Sequence, residues 1–238
     1  MIICHSRQYI FIHIHKTGGT SVESALEATL CWNDLLLGST PYGETASAHY
    51  SQRFGLHKHS ALAEIYSVCS DAPELRDYRV VSVVRDPVDR LLSLHRFVMA
   101  KLQGLSHQLR MDMAALHRSQ EKLASAHSVL TWPATRAALA GGGNFEAFIS
   151  SPFMAEEPAF RSQVAMLSWE GQLAPNLAWV RSEDLATSAH LFTHLCGKEV
   201  AVPRLNVTPH VHGVAKPPGS TIDRVRSLFK ADYETFGF

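Results

Sequence analysis

The sequence predicts an α/β fold, a central parallel sheet flanked by helices with a helical insertion, and two strand-to-helix junctions carry that prediction. Tyr9-Ile10-Phe11-Ile12-His13-Ile14 is rich in β-branched and aromatic residues and too short for an ordinary helix, so it reads as a buried strand. It runs into His15-Lys16-Thr17-Gly18-Gly19-Thr20-Ser21, after which Val22, Ala25, Leu26 and Thr29/Leu30 recur at helical spacing, with Thr20 or Ser21 placed to cap the helix. Arg79-Val80-Val81-Ser82-Val83-Val84 repeats the arrangement. Asp86 follows as an N-cap and Pro87 as the first helical residue, and Val88, Leu91, Leu92, His95 and Val98 share one face of the helix they open. Strands alternating with helices imply a parallel sheet whose ligands bind at the carboxyl ends of the strands, where both junctions lie.

Leu177-Ala178-Trp179-Val180 predicts a third strand, and Ser182-Glu183-Asp184-Leu185 the start of another helix. Residues 103–140 are polar and helical in pattern and end in Gly141-Gly142-Gly143-Asn144, so a helical lid or insertion over about 103–175 is expected within a single domain of 1–238. Residues 203–220, with four prolines and two glycines, read as loop. A chain of 238 residues, 46% of them hydrophobic, is long enough for one full core.

Lys plus Arg and Asp plus Glu number 22 each, so no overall field draws the chain to nucleic acid or an anionic membrane, and any anion site must be local. His5, Arg7, Gln8 and His13 interrupt the apolar residues of 1–14, which therefore match neither a signal-peptide core nor a membrane span. No later stretch reaches spanning length. Cys4, Cys31, Cys69 and Cys196 form no Cys-x-x-Cys pair, which fits reduced thiols and predicts a cytoplasmic location.

The first junction carries anion chemistry. A glycine turn between strand and helix lets backbone N–H groups converge, and the helix N-terminus adds partial positive charge. Lys16, Thr17, Gly18, Gly19, Thr20 and Ser21 would surround the anion with a cation, hydroxyls and main-chain donors in a P-loop-like arrangement. A Walker A loop, however, places its lysine after the glycines, whereas Lys16 precedes Gly18-Gly19, which disfavours a nucleotide triphosphatase. At the second junction Arg85 can offer a fork of donors to a phosphate dianion, and Ser93, about two helical turns on, can add a hydroxyl.

These residues carry a resemblance. His13-Ile14-His15-Lys16-Thr17-Gly18-Gly19-Thr20-Ser21 is similar to the 5'-phosphosulfate loop of the carbohydrate sulfotransferases, and Val84-Arg85-Asp86-Pro87-Val88-Asp89-Arg90-Leu91-Leu92-Ser93 resembles the 3'-phosphate motif of that superfamily. Leu56-His57-Lys58-His59-Ser60 is similar to the His-x-His-x-Ser stretch of the heparan and uronyl 2-O-sulfotransferases, in which the second histidine acts as base. The ending Asp232-Tyr233-Glu234-Thr235-Phe236-Gly237-Phe238 resembles that of Golgi-type and bacterial members. The resemblance implies sulfuryl transfer from 3'-phosphoadenosine 5'-phosphosulfate to a hydroxyl, expected to belong to a carbohydrate, with adenosine 3',5'-bisphosphate as product. It implies Lys16 at the leaving phosphate, Arg85 and Ser93 at the 3'-phosphate, and His59 as base with His57 in support. No metal is expected, because a sulfuryl group carries less charge than a terminal phosphoryl group.

Each assignment has a plainer alternative. Lys16 could be a solvated residue at a helix start, Arg85 an ion-pair partner of Asp86 or Asp89, Ser93 a surface serine, and His57 to Ser60 a cap for the apolar-periodic stretch 61–68. Gln163, Asn206 and Thr208 fall near ligand contacts of the resembling family and are read as structural; Glu183 or a histidine of the middle segment is the next candidate base. Three His-x-His pairs, His13/His15, His57/His59 and His210/His212, raise zinc hydrolysis as a rival, disfavoured because no His-Glu-x-x-His cluster accompanies them. A phosphate-binding nucleotide kinase-like protein and a non-catalytic nucleotide-binding module are the remaining alternatives.

Overall fold

A computed structural model describes residues 1–203, 205 and 217–238. Asn206, Thr208 and the pair His210/His212 lie outside the described residues. The chain divides into two compact units, the first formed by 1–85, 162–207 and 235–237, the second by 86–161, 208–234 and 238.

The first unit is built on a five-stranded mixed sheet. In chain order its strands are β1 (Ile2–Cys4), β2 (Tyr9–Ile12), β3 (Leu35–Leu36), β4 (Arg79–Val84) and, after a small hairpin of β5 (Ser168–Trp169) and β6 (Gln172–Leu173), β7 (Leu177–Arg181). The sheet order is β3-β1-β2-β4-β7. The strands read from the sequence, β2, β4 and β7, run parallel, whereas β1 is antiparallel to both β2 and β3. The expected central parallel sheet thus has an antiparallel edge, because the four residues between Cys4 and Tyr9 can only turn the chain back on itself; a parallel return needs a long crossover. Every residue of β2 is buried, as expected for a central strand covered on both faces. On one face Phe11, Val81 and Val83 pack with Val22 and Leu26 of α1 (Gly19–Glu27) and with Phe192 of the helix Ala189–Cys196.

Strand β2 stops at Ile12 rather than Ile14. Its last partner on β4 is Ser82, whose hydroxyl donates to the Ile12 carbonyl at 2.8 Å, and beyond it the chain turns. The helix expected at Ser182 begins instead at Ala189. A single 3-10 turn, Ser182–Asp184, comes first, and the N–H groups of Thr187 and Ser188 close onto the Asp184 carbonyl at 3.1 and 2.9 Å. Two further helices, α2 (Pro41–Phe54) and α3 (Leu62–Val68), flank the His57 to Ser60 segment.

The second unit is helical. Its longest element, α4 (Pro87–Leu109), starts as the sequence predicts, with the Asp86 carboxylate accepting from the Asp89 N–H at 3.1 Å and proline at the first turn. Leu91, Leu94, Val98 and Leu102 pack with the alanines of the helix Pro133–Ala140 and with Phe148 of the helix Phe145–Ser150. No helix among the described residues is long and apolar enough to cross a membrane.

Arg90, only 1% exposed, is the largest fully buried side chain among the described residues. Its guanidinium donates to the carbonyls of Ala159 at 3.1 Å and Arg161 at 2.8 Å and lies 5.4 Å from the Phe229 ring centre, so a long polar side chain ties three segments of this unit. Burial brings its pKa down to about 10 against the opposing charge of Asp232. Arg90→Met should cost about 3 kcal/mol of unfolding free energy, since two charge-assisted bonds are lost and two carbonyls left without donors. A loss below about 1 kcal/mol by denaturant titration would contradict this role.

Candidate active site

The junction after β2 supplies the first group of candidate residues. Lys16 has φ of 65° and Gly18 φ of 99°, so the turn passes twice through the left-handed region, at some cost for a residue with a side chain. Gly18 occupies the N-cap position of α1 without any side-chain cap, so neither Thr20 nor Ser21 caps the helix as the spacing suggested. Their hydroxyls are engaged elsewhere: Ser21 Oγ accepts from the Leu205 N–H at 3.0 Å, and Thr20 Oγ1 accepts from Ser39 Oγ at 3.3 Å. The Thr17 hydroxyl donates to the Ile14 carbonyl at 2.9 Å, leaving its main-chain N–H as the donor it can offer an anion. Gly19 has a packing reason of its own, since a Cβ there would sit 2.2 Å from Cδ2 of the His13 ring.

Arg85 comes to the same place because β2 and β4 are adjacent and parallel. With Ile12 opposite Ser82, Lys16 four residues beyond the first and Arg85 three beyond the second emerge side by side, and Arg85 Nη1 donates to the Lys16 carbonyl at 3.2 Å. Gln163, fully buried, holds the Arg85 main chain from both sides: its Oε1 accepts from the Arg85 N–H at 2.9 Å and its Nε2 donates to the Arg85 carbonyl at 2.8 Å. Burial, with the Arg85 charge added to it, brings the Lys16 ammonium down to about 8. Two cations held this close are what a bound dianion would stabilise.

The third group lies in the loop before α3. The His57 ring Nδ1 accepts from the His59 N–H at 3.1 Å, and Ser60 Oγ accepts from the His57 N–H at 3.0 Å. His59 Nδ1 meets the His13 carbonyl at 2.8 Å; a carbonyl can only accept, so Nδ1 carries the hydrogen and Nε2 keeps its lone pair. The His59 ring stacks on His15 at 3.4 Å between centres and meets the His13 ring edge-on at 4.6 Å. Burial first, then the charges of His13 and His15, place its pKa well below the ordinary histidine value of 6.5. His13 Nδ1 in turn lies 2.9 Å from Glu23, a fully buried carboxylate of α1 whose other oxygen meets the Met1 ammonium; burial outweighs that carboxylate and holds the His13 pKa below 6.5. Burial pushes the Glu23 carboxyl up, but the charges and hydrogen bonds of His13 and the ammonium outweigh it and bring it to about 2.

The first unit thus brings Lys16 and Arg85 together, and His59 together with His13 and His15. Ser93 lies on α4 of the second unit, 7% exposed within the buried run from Arg90 to His95. Glu183 is exposed on its 3-10 turn. Among the described residues no three histidine, cysteine or carboxylate side chains are arranged to hold a metal ion.

A family model described as the Sulfotransferase family matches residues 1–238, the whole chain. The chain belongs to the sulfotransferase family. This is an enzyme family in which 3'-phosphoadenosine 5'-phosphosulfate donates a sulfuryl group to an acceptor, and the match leaves the acceptor unspecified. No curated protein and no solved structure matches the chain. A sulfotransferase must hold a nucleotide with anionic groups at its 5' and 3' positions, and the Lys16–Arg85 pair beside the N-terminus of α1 fits such a ligand.

Sequence reasoning missed Glu23 and the His13–His59 contact and set Gln163 aside as structural. Glu23 left a signal, being a carboxylate among Gly19, Val22 and Leu26 on the buried stripe of α1. Because its folded pKa lies below the ordinary 4.5, Glu23 stabilises the protein above that value, and the contribution is lost as pH falls toward about 2. Glu23→Gln should therefore melt at lower temperature at neutral pH and lose less stability than wild type between pH 4.5 and 2. Parallel melting curves for the two proteins across that window would remove Glu23 from the account.

Proposed function

We propose that this sulfotransferase acts on a hydroxyl of a carbohydrate, with Lys16 to Ser21 and Arg85 binding the donor and His59 as general base. The observation that carries the reading is the geometry of His59: Nδ1 is tethered to a main-chain carbonyl and carries the hydrogen, so Nε2 is the ring nitrogen left to take a proton. The resemblance of His57-Lys58-His59-Ser60 to the His-x-His-x-Ser stretch of uronyl-type enzymes supports a sugar acceptor. The scattered cysteines support a cytoplasmic location.

When bound, 3'-phosphoadenosine 5'-phosphosulfate supplies an activated sulfuryl group on a phosphosulfate anhydride. Lys16 and the N–H groups of the turn place positive charge where the departing phosphate gathers negative charge, and their work is electrostatic. Arg85, its main chain fixed by Gln163, presents its guanidinium to the 3'-phosphate. His59 takes the acceptor hydroxyl's proton on Nε2. His57 holds the His59 main chain through Nδ1 and shares no proton with its ring. Lys16 and the N–H groups of the turn supply the charge that kinases obtain from magnesium, so no metal is expected to be required.

Binding is tested without knowing the acceptor. Adenosine 3',5'-bisphosphate at a hundredfold its dissociation constant should stabilise the protein by about 2.7 kcal/mol, while ATP with magnesium gives much less. In Arg85→Ala the bisphosphate should lose its advantage over adenosine 5'-phosphate, a difference of about 1.5–3 kcal/mol in calorimetry. Equal losses for both ligands would show that Arg85 does not read the 3' position.

Catalysis is tested by nucleotide release in the presence of uronic-acid-containing oligosaccharides. His59→Ala should lower kcat by about 10²–10⁴-fold and leave bisphosphate affinity nearly unchanged, and His57→Ala should cost less. Because the His59 pKa is depressed, the rate should hold through pH 6.5 and fall only at lower pH, and that acidic limb should vanish in His59→Ala. An acidic limb that survives the substitution places the base elsewhere.

A further inference from the structure

His15 belongs to the strand end that leads into the donor loop, yet its ring lies flat against His59, with 3.4 Å between ring centres and 23° between planes. Three contacts from residues 13–15 therefore define the His59 imidazole: the His13 carbonyl on Nδ1, the His13 ring at 65° to its plane, and the His15 ring over one face. The carbonyl fixes which ring edge is tethered, and the stacked ring fixes the plane in which that edge lies. Neither contact alone sets the direction of Nε2.

We propose that His15 is a positioning residue for His59: its stacked ring holds the plane of the His59 imidazole, and as a second imidazole in contact it opposes protonation of His59. This rests on the reading of His59 as base. Two imidazoles at this separation cannot both carry charge without strong repulsion in a partly buried site. Among the described residues, the other titratable or charged groups around His59 are His13, with Glu23 and the Met1 ammonium behind it, and His57 and Lys58 of its own loop. Of these rings only His15 covers the His59 face, so replacing it changes plane and charge together, and replacing it by phenylalanine changes charge alone.

The experiment uses the full chain labelled with ¹⁵N-histidine, imidazole nitrogen–proton correlation spectra across a pH series, and His59→Gln to assign the His59 signals. Wild type should show one neutral His59 tautomer, with the hydrogen on Nδ1. His15→Phe should keep that tautomer and titrate at higher pH, because a ring still covers the face while the like charge is gone. His15→Ala should populate both tautomers. A stabilising shift with adenosine 3',5'-bisphosphate in each variant certifies the fold and donor site. An unchanged tautomer in His15→Ala, or an unchanged titration in His15→Phe, overturns the proposal. Neither observable depends on turnover, so the reading of His59 as base fails separately, on the rate of His59→Ala.

Discussion

The site depends on the register of two adjacent parallel strands. Ile12 of β2 lies opposite Ser82 of β4, and that alignment delivers the Lys16 turn and Arg85 to one edge of the sheet. In an antiparallel pair the two ends would lie on opposite edges and no common anion site could form. The strands earn this alignment through burial on both faces, which a slip of one residue would destroy by reversing every side chain.

A second constraint is the charge buried beneath the loop. Glu23 faces the sheet from α1 and is compensated by His13 and the Met1 ammonium, so the helix that follows the glycine turn is fixed to the strand that precedes it. The same His13 ring fills the space a Gly19 side chain would need, and the His13 carbonyl tethers His59. One residue at the end of β2 thereby sets the shape of the anion loop on one side and the orientation of an imidazole on the other. Buried charge of this kind is costly unless fully paired, and here pairing and positioning are the same contacts.

Much of this was legible in the sequence because it is local. The strands β2, β4 and β7, the Asp86-Pro87 helix start and the glycine turn are each declared by neighbouring residues. The strands β1 and β3, three and two residues long, are too short to show a period and exist only through pairing with β2 and with each other. The contacts that organise the site join residues far apart in the chain: Gln163 to Arg85 across 78 positions, His59 to His13 across 46. No spacing rule addresses such pairs. Even the hydroxyls of Thr20 and Ser21, correctly placed in the loop by sequence, are bonded to protein groups that only the folded chain brings near.

The Gln163 contact also limits how this site can diverge. A primary amide presents one acceptor and one donor group, and Gln163 uses both on the single peptide segment of Arg85. An ionised glutamate would lose the donor, a lysine the acceptor, and an apolar residue both, each leaving a buried main-chain group without its partner. Drift at position 163 is therefore nearly closed, while these two main-chain bonds place no demand on which side chain stands at position 85. A lineage that changes its nucleotide would do so by exchanging the arginine and retaining the glutamine.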